Sequence, residues 1–273
     1  MTTHRPTSTT LARDGGTIAY DVAGDGPLVL LVPGMGDLRT TYRFTAPALR
    51  DAGYRVACTD LRGHGDSDAT FSAYGDGESA EDIAALIETL GAPATIVGNS
   101  MGAAAAALTA ARRPALVSGL VLIGPFVRNA EMSAATRVLL RVAMARPWAG
   151  RSWNAYLPKL YAGRRPEDFA RHRDAIAASM RRPGHARAFS LTTRADHGIV
   201  TAALPEVQAP TLVVMGELDP DFRDPRAEAE WIAAALHGEA VMVPDAGHYP
   251  HAQQPQLTND AIVRFLAHVH ARA

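Results

Sequence analysis

An α/β architecture, with a mostly parallel central sheet flanked by helices, is predicted by three observations. Short, almost wholly apolar runs recur along the chain, as in Leu28–Val32 and Thr211–Met215. Helical patterns of ten or more residues lie between most of them. The runs show little polar alternation, as expected of strands covered on both faces, and an intervening helix supplies the crossover that parallel pairing needs.

Taken in order, Thr17–Val22 and Leu28–Val32 read as strands separated by the turn Gly24-Asp25-Gly26-Pro27. Their closeness predicts a hairpin and so an antiparallel edge to the sheet. Tyr54–Thr59 is a third strand and contains Cys58, read as a buried structural thiol. Ser79, followed by Glu81 and Asp82, reads as a helix N-cap. Ile83, Leu86, Ile87 and Leu90 then form one apolar stripe, and Gly91 ends the helix. Thr95–Val97 and Leu120–Ile123 are further strands, with a helix over Met101–Arg113 between them. After a long interruption come strands at Thr211–Met215 and Ala240–Val243, and helices over Arg226–Leu236 and Gln256–His270.

The interruption, residues 126–204, breaks this rhythm. Pro147, Pro158, Pro166 and Pro183 cut it into short helical pieces, and Trp148, Trp153, Tyr156, Tyr161, Phe169 and Phe189 are scattered through it. It reads as a helical lid inserted after a central strand, with 1–125 and 205–273 forming one core domain. Some of its aromatic side chains are expected to line a substrate pocket. Residues 126–200 hold 14 Lys/Arg against 5 Asp/Glu, although the whole chain has a net charge of only −1. Because burying arginine is costly, these side chains are expected to face solvent and leave the pocket to neutral apolar acyl groups. An arginine turned towards the cavity would favour an anionic substrate instead.

Composition narrows the classes further. A chain of 273 residues can bury a large core without staples, and Cys58 is its only cysteine. With no signal-peptide apolar region at Met-Thr-Thr-His-Arg-Pro, this fits a reducing, cytoplasmic setting. No run is long enough to span a membrane. The basic segment has no nucleic-acid reader motif. No phosphate loop, His-Glu-x-x-His or cysteine pair suggests a metal or cofactor, and His64 in Gly63-His64-Gly65 reads as structural. The expected partner is a small-molecule substrate; oligomeric state is left open.

The chemistry concentrates at Ile96-Val97-Gly98-Asn99-Ser100-Met101-Gly102. A strand ends and a helix begins around a Gly-x-Ser-x-Gly. That turn holds the serine in a strained conformation with its hydroxyl above the sheet, and the glycines remove side chains that would collide. A hydroxyl nucleophile needs a base. Of ten histidines, His248 stands out because it follows a strand in Pro244-Asp245-Ala246-Gly247-His248-Tyr249-Pro250. The base needs an orienting carboxylate. Asp219, just past the strand Thr211–Met215, is the best candidate, with Glu217 and Asp221 as rivals.

The order Ser100, Asp219, His248 resembles the α/β-hydrolase family along nearly the whole chain. Asp60-Leu61-Arg62-Gly63-His64-Gly65-Asp66-Ser67 is similar to the family's Asp-x-Arg-Gly-x-Gly-x-Ser loop, and Gly247-His248-Tyr249-Pro250-His251 to its Gly-His-x-x-His segment. The resemblance implies an oxyanion hole from the backbone N–H groups of Met35 and Met101, with Pro33-Gly34 standing where many relatives have His-Gly. It implies hydrolysis of an ester, thioester or lactone through an acyl-enzyme, without a cofactor. Gly-Asn-Ser-Met-Gly also resembles the elbow of carbon–carbon bond hydrolases of vinylogous diketones, an alternative, although the chain lacks their usual oxyanion loop. A slow-turnover ligand sensor on the same fold is a further alternative.

Overall fold

The computed structural model describes residues 9–91, 93–130 and 133–271. The N-terminal residues 1–8, on which the signal-peptide reading rests, lie outside them, as do residues 131 and 132 of the predicted insertion. The first half of the chain runs β1 (Thr9–Arg13), β2 (Gly16–Ala23), β3 (Leu28–Val32), α1 (Thr45–Asp51), β4 (Arg55–Thr59), α2 (Asp76–Leu90), β5 (Ala94–Asn99), α3 (Met101–Arg112) and β6 (Val117–Ile123). Five helices follow: α4 (Ala134–Ala143), α5 (Ala149–Leu160), α6 (Phe169–Met180), α7 (His185–Thr192) and α8 (Gly198–Ala203). The chain closes with β7 (Thr211–Gly216), α9 (Pro225–Ala235), β8 (Glu239–Val243), α10 (Pro250–Gln253) and α11 (Pro255–His270).

The strands form one sheet in the order β1-β2-β4-β3-β5-β6-β7-β8. From β4 to β8 all pairings are parallel. Every residue of β3, β5 and β7 is buried, which is why these runs show no polar alternation. One sheet face is covered by α2, α3 and α9, including Ile83, Leu86, Ala103–Ala107 and Ile232. Leu49 of α1 with Ile262 and Leu266 of α11 cover the other. Alanines at 103–107, all buried, let α3 lie close against the sheet.

Three expectations change. The antiparallel edge is present, but β2 does not pair with β3. β4 lies between them, with Ala57 opposite Val22 on one side and Leu30 on the other. The hairpin is instead β1–β2, turning at Asp14-Gly15, with Gly15 at φ 88. β1 is largely exposed, so it carries little apolar signal, although Asp-Gly is itself a hairpin turn signature. The third change is in α2, which starts a turn earlier than predicted. Gly75 is its N-cap, its N–H donating to Glu78 Oε2 at 3.0 Å, while Ser79 is buried within the helix.

Between β6 and β7 the helices build a small core of their own from Trp153, Leu157, Ile176 and Phe189, joined by Tyr249 and Ala252. α8 departs from this group, and its Val200 lies in the main core. α4 has no buried residue, and Val138 and Leu139 are 60% and 69% exposed. Among the described residues no helix is long and apolar enough to cross a membrane.

Candidate active site

Ser100 occupies the single residue between β5 and α3, at φ 56 and ψ −120. Left-handed backbone at a non-glycine residue costs roughly 1–3 kcal/mol and persists only where the surroundings enforce it. Here the Ser100 N–H donates to the Ile123 carbonyl at 2.9 Å, and the Ser100 carbonyl accepts from Ala103 and Ala104. The flanking glycines are required by space: a Cβ at Gly98 would lie 2.5 Å from the Gly102 oxygen, and one at Gly102 2.4 Å from the Pro33 oxygen.

His248 Nδ1 lies 2.8 Å from Asp219 Oδ2, and both side chains are buried. Donation from Nδ1 leaves Nε2 as the free base. Asp221 Oδ2 stands 3.8 Å from the same nitrogen and is the weaker partner, while Glu217 faces outward to Arg226. Burial opposes the imidazolium, but the charge and hydrogen bond of Asp219, then the charge of Asp221, outweigh it and push His248 up to about 9. Asp221 itself is raised by burial, and its Oδ1 accepts from the Tyr156 hydroxyl at 2.7 Å. Asp219, Asp221 and His248 also bring three metal-ligand-type atoms within 4.8 Å of one another. Their mutual bond and the Tyr156 contact give this cluster a hydrogen-bonding role within the chain.

Asn99 ties the elbow to the histidine, its Nδ2 donating to the carbonyls of Ile123 at 3.1 Å and His248 at 3.2 Å. The histidine loop has a second brace in buried Gln253. Its Oε1 accepts from Gly247 N–H at 2.9 Å and Tyr249 N–H at 3.2 Å. Its Nε2 donates to the carbonyls of Ala162 at 2.7 Å and Arg164 at 2.8 Å, just beyond α5. The His248 N–H adds a bond to the Leu160 carbonyl at 2.8 Å.

Met35 and Met101 line one cavity with Ser100, and neither N–H has an acceptor among the described residues. The Met35 loop is clamped from the insertion. Trp153 Nε1 donates to Gly36 O at 2.8 Å, and His172 Nε2 lies 2.7 Å from Asp37 Oδ1 in a buried pair. A Cβ at Gly36, whose φ is 71, would come within 2.5 Å of the Trp153 ring.

The cavity has a volume of about 410 Å³. Of the aromatic side chains of 126–204, Phe126 is on its wall, while Trp148, Trp153, Tyr156, Tyr161, Phe169 and Phe189 are not among its described lining residues. Trp153, Tyr161 and Phe189 are spent on the insertion's own core, and the aromatic carbon wall is Phe126, whose ring lies edge-on to His248 at 5.8 Å. Arg137, Arg141 and Arg194 reach the cavity instead. They do so while exposed, so lining the cavity involves no burial of charge.

Ser100, Met35 and Met101 thus meet at one cavity, and Asp219 and His248 meet beside the same elbow. Asn99, His172 and Gln253 are given no role by the sequence, and Trp153 and Tyr156 read there only as candidates for the pocket wall. Only Asn99 and Gln253 carried a local signal, as neighbours of recognised motifs. The Asp60–Ser67 motif is a hydrogen-bonded turn: Asp60 accepts from the N–H groups of Arg39 and Asp66, and one ring nitrogen of buried His64 bonds the Arg62 carbonyl at 2.9 Å. Cys58 is only partly buried, and its thiol is pushed up to about 12 by burial and Asp21.

The sequence profile of the Alpha/beta hydrolase family matches residues 29–261. The chain is 33% identical over 271 residues to BpoC of Mycobacterium tuberculosis, provisionally named a non-heme bromoperoxidase, covering 93% of this chain and 99% of that protein. It is 30% identical over 270 residues to the 2-(acetamidomethylene)succinate hydrolase of Mesorhizobium japonicum, covering 93% of each. Among solved structures, a thermophilic esterase from Thermogutta terrifontis superposes with a TM-score of 0.82 at 28% identity, over 97% of this chain and 99% of that one. With its sheet order, its elbow and these matches, the chain belongs to the alpha/beta hydrolase family.

Proposed function

We propose that the protein is a serine hydrolase that cleaves a carboxylic ester, thioester or lactone of a small molecule through an acyl-enzyme. The observation that carries this reading is Ser100 held at φ 56 on the strand-to-helix turn, facing the cavity, with His248 bonded to Asp219 at 2.8 Å beside that turn. Ser100 Oγ attacks the carbonyl carbon while His248 Nε2 takes the hydroxyl proton. The carbonyl electron pair moves to oxygen, where the Met35 and Met101 N–H groups stabilise it; each such donor is worth about 3 kcal/mol of barrier. Collapse expels the alcohol or thiol, which leaves with the proton from His248. Water, deprotonated by His248, then releases the acid. Asp219 fixes the tautomer throughout. The helices within 126–204 serve as the lid over a core of 1–125 and 205–273.

Support comes from two relatives, one called an esterase and one named for hydrolysis of a succinate derivative. The elbow Gly-Asn-Ser-Met-Gly favours carbon–carbon bond hydrolysis as a second reading, using the same serine and histidine. The test is labelling with a fluorophosphonate and mapping of the modified peptide, followed by steady-state turnover on esters, thioesters, lactones and a vinylogous diketone. Label on Ser100 with turnover of an ester-type substrate is expected. Label elsewhere, or turnover of the diketone alone, overturns the ester reading.

A further inference from the structure

The cavity above Ser100 has an uneven polar lining. Arg137 and Arg141 stand one helical turn apart on α4, and Arg194 follows α7, so cationic groups from two elements reach one space. Among the described residues the only acidic side chain on that wall is Asp196. Its Oδ1 already accepts from Asn129 Nδ2 at 2.7 Å and Gly198 N–H at 2.9 Å. His197, also on the wall, is turned to buried Asp76, with Nδ1 2.7 Å from Oδ2. Arg141 and Arg194 make no ion pair with a described residue. Guanidinium groups present a fork that matches a carboxylate. At the reacting end the same cavity offers Phe126, Met35 and Met101, which are apolar apart from the backbone donors.

We infer that the substrate carries a negative charge, a carboxylate set several bonds from the reacting carbonyl, and that Arg141 and Arg194 select it. The inference rests on the ester-hydrolase reading and adds its substrate class. A volume of about 410 Å³ accommodates a small diacid monoester, its carbonyl at Ser100 and its free carboxylate at the arginines. Because the arginines are exposed, the attraction is screened by salt.

The experiment compares kcat/KM for the 4-nitrophenyl monoester of adipic acid with that for 4-nitrophenyl heptanoate, a neutral ester of similar length. The adipate spacing keeps the substrate's own carboxylate from efficiently attacking its ester. A preference of about tenfold for the anionic ester is expected at low salt, shrinking several-fold at about 0.5 M salt. Arg141→Gln and Arg194→Gln should each lower the ratio, and the double charge reversal to Glu should invert it, a response that loss of packing does not produce. As a turnover-free check, adipate should slow fluorophosphonate labelling of Ser100 more than 1,6-hexanediol does, with the difference lost in the double Gln variant. Hydrolysis of both esters with no anionic preference, or a preference that ignores the charge reversal, overturns the inference and leaves the hydrolase reading standing. Absence of both ester turnover and Ser100 labelling overturns the two together.

Discussion

Tyr156, on α5 of the insertion, donates its hydroxyl to Asp221 at 2.7 Å, on the far side of a carboxylate that stands 3.8 Å from His248. The histidine therefore faces two acids of unequal rank. Asp219 bonds it directly, and Asp221 contributes charge while held by a residue from another part of the chain.

That ranking predicts different losses. Asp219→Asn removes the acceptor that fixes the His248 tautomer and should lower kcat by roughly 10⁴-fold. Asp221→Asn should lower it less than about tenfold, since it removes only a nearby charge. Steady-state kinetics of the two folded variants decides; equal losses would mean that both acids orient the imidazole.

The pH dependence follows from the same pair. As the proposed base, His248 must be neutral to accept a proton, and the folded protein holds it up to about 9. kcat/KM should therefore rise with pH through an apparent value above the ordinary histidine range and level off only in mild alkali. Asp221→Asn should shift that limb to lower pH. The linked stability runs the other way. A raised folded pKa stabilises the protein fully below the unfolded value of about 6.5, and that contribution is lost as pH climbs through about 9. A pH–rate profile beside thermal melts over the same range checks both; a flat profile from pH 6 to 10 would remove His248 as the base.

Backbone strain at Ser100 predicts a trade between activity and stability. Ser100→Ala and Ser100→Gly should both abolish turnover. Only glycine relaxes the φ of 56, so Ser100→Gly should be the more stable by roughly 1 kcal/mol, a rise of a few degrees in Tm. Calorimetry of the two variants gives the answer, and an alanine variant melting at or above the glycine one would argue against strain.

Gln253 should prove costly to change. Its amide makes four hydrogen bonds to backbone groups on two segments, all lost in the similarly sized Gln253→Leu. Orphaned buried groups cost roughly 1–3 kcal/mol each, so a drop of several kcal/mol in stability is expected, partly relieved by local shifts. kcat should fall as the His248 loop loosens, with less effect on KM. Denaturant melts and kinetics on the same sample separate the two effects.

The extent to which the chain could be read in advance varied with the locality of each signal. Ser100 and the sheet strands depend on neighbours in sequence: a glycine pair around a serine, or five apolar residues in a row. The β2–β3 hairpin was misread because closeness along the chain was taken for closeness in the sheet, where the later strand β4 intervenes. Trp153 and His172 were beyond reach, since their partners Gly36 and Asp37 lie more than a hundred residues away. Trp153, Tyr161 and Phe189 serve the insertion's own core while Arg137, Arg141 and Arg194 reach the cavity, for one physical reason. A short helical insert needs large apolar side chains for its own core, while an open cavity lets arginine line it without leaving water.

The Gln253 brace bears on how such a protein tolerates exchange of parts. Swapping insertions between relatives to change specificity treats 126–204 as a cartridge, but this one is joined to the His248 loop by a seam at 160–164. A graft cut at the insertion's ends replaces the carbonyls that Gln253 and His248 use, and so disturbs the base together with the pocket. Keeping residues 160–164 native, and grafting only the stretches on either side, separates recognition from chemistry.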